Sequence, residues 1–129
     1  MDFNEMIINI QENANILGRI NLEYTEKLGK EHYMSKLSNT FVKSIVEFQK
    51  FFDIMENGVL YASELLKFSE MAIDVFKITP PELLASKSIF KKRKLLKKNL
   101  EENRNYINRV LDQMDLISSM IDENVKNLV

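Results

Sequence analysis

A seven-residue apolar repeat in the last third of the chain restricts its possible folds more than any other feature. Two series of residues, each spaced by seven, run through positions 89–128. The first is Ile89, Leu96, Asn103, Val110 and Ile117, and the second is Leu100, Ile107, Met114, Ile121 and Leu128. The repeat predicts a helix of about 40 residues, or about 60 Å at 1.5 Å per residue, with coiled-coil packing along this seam.

The rest of the chain also places its apolar residues three and four positions apart, as helices do. Gly29 and Asn57-Gly58 are typical of helix ends, and Thr79-Pro80 with Glu82 is typical of a helix start. The resulting helices cover about 3–28, 31–56, 59–77 and 80–128, the last either continuous or broken near 86–88.

With 3 glycines and 2 prolines in 129 residues, a fold rich in strands and turns is disfavoured. We therefore predict one all-α domain over residues 1–129. Its architecture is roughly a four-helix bundle, or helical hairpins, with a long C-terminal helix in coiled-coil packing.

Two asparagines, Asn21 and Asn103, interrupt the apolar stripes of the first and last helices. A polar residue at such a position sets the register between helices at some cost in stability. The alternative is that each lies at a frayed or solvent-facing point. The sequence does not decide between these two interpretations.

A basic block divides two acidic regions. Residues 87–98 hold 7 basic residues and no acid, whereas residues 1–86 and 99–129 have net charges of −5 and −3. On a helix, four lysines of the block form a stripe about 60° wide. These are Lys87, Lys91, Lys94 and Lys98. The stripe is either a solvated helix face, a surface for an acidic partner or another anion, or a nuclear import signal in a eukaryotic source.

The chain has few of the residues on which catalysis depends. It contains no cysteine, and its single histidine, His32, stands where a helix begins and is typical of a surface or capping residue. The three glycines lie far apart, so no phosphate-binding loop is present, and carboxylate pairs such as Asp112 and Asp115 are common on solvated helices. We expect no enzymatic activity, cofactor, metal site or small-molecule substrate.

No apolar run approaches the roughly 18 residues of a membrane-spanning segment, and the first ten residues carry acids where a signal peptide is basic. These features favour a cytoplasmic protein, or a nuclear one if the source is eukaryotic. A pI of about 5.9 and a single aromatic residue, Phe90, within the basic block disfavour nucleic acid as a partner.

The function predicted from these patterns is binding of another helical protein, as a subunit, adaptor or chaperone-like protein. The seam is too long for the preceding helices to cover, so we expect a homo- or hetero-oligomer. The residues assigned to the partner-helix seam are Ile107, Val110, Met114, Ile117 and Ile121. Phe51 departs from the stripe of Phe41, Phe48 and Phe52 and is the candidate for an exposed anchor. The alternative function is anion binding by the lysine stripe, on nucleic acid or a membrane surface.

Overall fold

In the computed structural model, the described residues are 1–50, 58–78, 81 and 89–128. Every regular element among them is an α-helix, which confirms the predicted all-α fold. The helices are α1 (Phe3–Leu28), α2 (Tyr33–Gln49), α3 (Gly58–Ile78) and α4 (Ile89–Leu128). The predicted continuation of α2 to residue 56, the start of a helix at Pro80 and the possible break near 86–88 fall on residues outside this description.

The connection between α1 and α2 is set by local chemistry. Gly29 follows α1 with φ 88°, a value that favours glycine, and its N–H donates to the carbonyl of Thr25. The ring of His32 caps α2, with Nδ1 accepting the N–H of Met34 at 3.1 Å. Because His32 is the cap, α2 begins at residue 33 rather than at 31, and the capping role predicted for this histidine is confirmed.

Polar contacts fix how α1 lies against its neighbours. Asn21 donates from Nδ2 to the carbonyl of Ser35 at 2.9 Å and to the hydroxyl of Ser38 at 2.8 Å, which joins α1 to α2. Asn13 donates to the hydroxyl of Ser69 on α3 at 2.8 Å. The structure therefore assigns Asn21 the register-setting role, since its half-buried amide bonds to a neighbouring helix. The side chain of Asn103 lies outside the described residues.

The core forms around α3, whose apolar residues are buried on a wide arc. Phe41 of α2 packs edge to face against Phe68 and Phe76 of α3, with ring centroids 5.6 and 5.7 Å apart. Phe41 and Phe48 are buried, whereas Phe51 and Phe52 lie outside the described residues. α1, α2 and α4 each contact α3, which is therefore the central helix of the described fold.

Tyr24 closes the end of this core. Its hydroxyl donates to the carbonyl of Phe76 at 3.1 Å, one of the last four carbonyls of α3, which have no partner within a helix. Burial, with a smaller contribution from the charge of Glu23, raises the pKa of Tyr24 well above its usual range. In the folded protein the phenol of Tyr24 is therefore neutral and donates a hydrogen bond.

Replacing Tyr24 with phenylalanine is expected to lower the free energy of unfolding at pH 8 by about 1–3 kcal/mol, because a buried carbonyl loses its donor. The raised folded-state pKa means that the stability contributed by this group is present below about pH 10 and is lost as the pH rises further. The difference between the native chain and the variant should therefore shrink between pH 9 and 11, as measured by urea unfolding. A difference that stays constant over this range would contradict the assignment.

Candidate interaction surface on the C-terminal helix

Two contacts define how α4 lies on α3. The hydroxyl of Tyr61 donates to the carbonyl of Met120 at 3.1 Å, and the amide of Gln113 donates to the carboxylate of Glu64. Residue numbers rise along α3 while those of their partners fall along α4, so the two helices are antiparallel. Among the described residues, α3 is the one helix with which α4 makes extensive contact.

One face of α4 is buried in the core of the chain itself. Val110 and Ile117 are 0 % exposed and Ile121 is 8 % exposed, and Met114 packs beside them as a half-buried residue. The side chain of Ile107 lies outside the described residues. The described members of the sequence-predicted seam therefore already contact α3, and further helices are left with the other faces of α4.

The length of α4 exceeds that of the helix that covers it. α4 has 40 residues and α3 has 21. Extending the observed register at equal rise places Ile78, the last residue of α3, alongside about residue 101 of α4. The helix from residue 89 to about residue 100 therefore continues past the end of α3.

The lysine stripe lies on this overhanging segment. Lys94 and Lys98 are exposed, as is the neighbouring Lys97, and no ion pair in the described part of the chain involves these three residues. Lys87 and the side chain of Lys91 lie outside the described residues. The structure thus brings at least half of the stripe to the surface as free positive charge.

Apolar side chains are also exposed near the other end of α4. Leu111 and Leu116 are 41 % and 47 % exposed, and they flank the buried face on its two sides. In the single chain these two leucines remain open to solvent. On α3, Leu60 is exposed beside Tyr61, at the same end of the helix pair.

The described residues bring together few groups capable of catalysis. No set of three or more His, Asp or Glu side chains among them is arranged to hold a metal ion. Asp112 and Asp115 are exposed on α4, and His32 is used as a helix cap. In the parts of the chain that the structure describes, no helix is both long and apolar enough to cross a bilayer.

Comparisons of this chain with protein-family models, with curated proteins and with solved structures return no match. The candidate interaction surface on α4 is defined by its geometry alone. Its main features are a buried face held by α3, an overhanging basic segment, and exposed leucines beside the buried face.

Proposed function

We propose that this chain is a non-enzymatic helical interaction protein, acting as a subunit, adaptor or chaperone-like protein that binds another helical protein through α4. The observation that supports this is the mismatch between a 40-residue helix and the 21-residue helix that covers it. A long amphipathic helix that the described helices cover over only part of its length is typical of helices that associate in coiled coils. The proposal includes the cytoplasmic location expected from the sequence.

The chemistry of the outer face of α4 fits such a partner. Leu111 and Leu116 are apolar side chains within a charged surface, the arrangement found where an amphipathic helix docks. The charged residues around them contribute mainly to the rate and specificity of association, because exposed ion pairs add little to affinity. A partner helix that packs on either leucine would gain most of its binding energy from that apolar contact.

A photo-crosslinking amino acid in place of Asn108, an exposed residue of α4, is expected to form a specific product with a helical segment of a protein partner. The matched control is the same amino acid in place of Asn15, which is exposed on α1. Mass spectrometry of the crosslinked peptide identifies the segment.

Binding of the purified partner should then weaken at least tenfold when Leu111 and Leu116 are both replaced by serine. Equal crosslinking from positions 15 and 108, or no protein product from position 108, would contradict the proposal.

Anion binding by the lysine stripe is the second candidate function, supported by the exposure of Lys94 and Lys98 without ion pairs in the described part of the chain. Anion binding and binding through the exposed leucines differ in their dependence on salt. Binding to nucleic acid releases counterions, and binding to anionic vesicles depends on an electrostatic attraction that salt screens. Both therefore weaken steeply as the salt concentration is raised. Binding through apolar helix contacts weakens much less.

A further inference from the structure

The exposed side of α4 carries a second pattern, which shares Lys94 and Lys98 with the lysine stripe. Seven exposed residues lie within about 80° of one another on the helix, on the side turned away from Val110 and Ile117. They are spaced 4-3-4-4-3-4, which is symmetric about the central residue. In order they are Lys94, Lys98, Glu101, Asn105, Arg109, Asp112 and Leu116. We refer to these seven residues as the symmetric stripe.

The charges of the symmetric stripe are complementary to those of a second copy of the stripe that runs in the opposite direction. Lys98 and Asp112 are each seven residues from Asn105, and Glu101 and Arg109 are each four residues from it. In an antiparallel pair of α4 helices centred on Asn105, each of these residues faces one of opposite charge. A parallel, in-register pair would instead place every charged residue against its own copy, which is repulsive.

The remaining positions of the stripe fit the same arrangement. Asn105 faces Asn105 of the second copy across the two-fold axis, where two amides can each donate and accept. Lys94 faces the exposed Leu116 of the second copy, and the aliphatic part of a lysine side chain can cover an apolar residue. Arg109 also interacts within its own chain, but a guanidinium has five N–H donors and can contact more than one acceptor.

We propose that two copies of this chain associate through an antiparallel, two-fold symmetric pairing of their α4 helices, centred on Asn105. This inference rests on the proposed use of α4 as an interaction helix and names its partner as a second copy. The pairing places the α3-covered end of each α4 beside the overhanging basic segment of the other copy, so the acidic and basic ends of the helix meet. Because the contact is polar and isologous, we expect a dimer that weakens as salt is raised.

Charge reversal tests the pairing. Lys98→Glu and Asp112→Lys should each weaken dimerisation at least tenfold in sedimentation equilibrium at low salt, because each homodimer then contains two repulsive contacts. An equimolar mixture of the two variants should dimerise, since both cross-contacts become attractive, and the double variant in one chain should recover the dimer. Lys97→Glu and Asp115→Lys make the same changes in net charge near the edge of the stripe, and each should change the affinity by less than twofold.

Cysteine crosslinking tests the direction of the helices, because the chain has no cysteine of its own. Asn105→Cys should form an intermolecular disulfide on mild oxidation. Asp112→Cys should not, since the two copies of residue 112 would be about 21 Å apart along the helix axis. A parallel dimer would crosslink at both positions and would overturn the inference.

Three further results would also overturn it. These are a monomer at all concentrations, a dimer unaffected by either charge reversal, and failure of the mixed variants to associate. Circular dichroism of each variant confirms that it remains helical.

A monomeric chain that still crosslinks to another helical protein from position 108 would remove the second copy as the partner and leave the proposed function standing. The absence of any protein product from position 108, together with a monomeric chain, would remove both.

Discussion

Replacing Phe41 with alanine is expected to lower the free energy of unfolding by about 3–5 kcal/mol. The phenylalanine is fully buried and packs edge to face against two aromatic rings of α3, so the shorter side chain leaves a cavity and removes both ring contacts. Since a domain of this kind is typically stable by about 5–15 kcal/mol, the loss is a large fraction of the total. The change in the free energy of unfolding is measured by urea denaturation monitored by circular dichroism.

The matched control for Phe41→Ala is Val46→Ala on the same helix. Val46 is 45 % exposed, and its replacement should change the free energy of unfolding by about 0.5 kcal/mol or less. Similar losses of unfolding free energy in the two variants would contradict the burial of Phe41 in the core.

Replacing Ile117 with alanine is expected to lower the free energy of unfolding by about 2–5 kcal/mol, because this residue is fully buried where α4 packs on α3. Leu111→Ala on the same helix should cost about 0.5 kcal/mol or less, since Leu111 is largely solvent-exposed in the single chain. Measurements are made at low protein concentration, where self-association does not contribute.

The shape of the Ile117→Ala unfolding curve carries additional information. One cooperative transition would show that α4 unfolds together with the other helices. An early, separate transition would show that α4 leaves α3 first. Equal, small effects for Ile117→Ala and Leu111→Ala would contradict the burial of this face of α4.

Several local features of the fold were predictable because they depend on neighbouring residues only. The end of α1 at Gly29 follows from the backbone freedom of glycine, and the start of α2 follows from the capping ring of His32. The predicted start at residue 31 was two residues early because the cap itself stands outside the helix. The spacing of apolar residues by three and four positions likewise predicted helices, and on α3 residues with this spacing, such as Tyr61, Leu65 and Phe68, are buried.

Other features depended on contacts between distant segments. The seam along α4 predicted an apolar contact, but nothing in the spacing distinguished α3 of the same chain from a helix of another chain. The contacts of Tyr61 with Met120 and of Glu64 with Gln113 join residues that are 59 and 49 positions apart. No local pattern in the sequence marks these pairs.

The sequence by itself determined that the chain is helical, where the described helix ends lie near Gly29 and His32, and which residues share a helix face. These properties follow from backbone propensity and from the 3.6-residue period. Only the tertiary structure decided that α3 covers Val110 and Ile117, that Asn21 joins α1 to α2, and that the side of α4 bearing Asn105 is exposed. The physical reason is that an apolar stripe specifies burial without specifying a partner. Which surface covers it depends on how all the helices fill the core together.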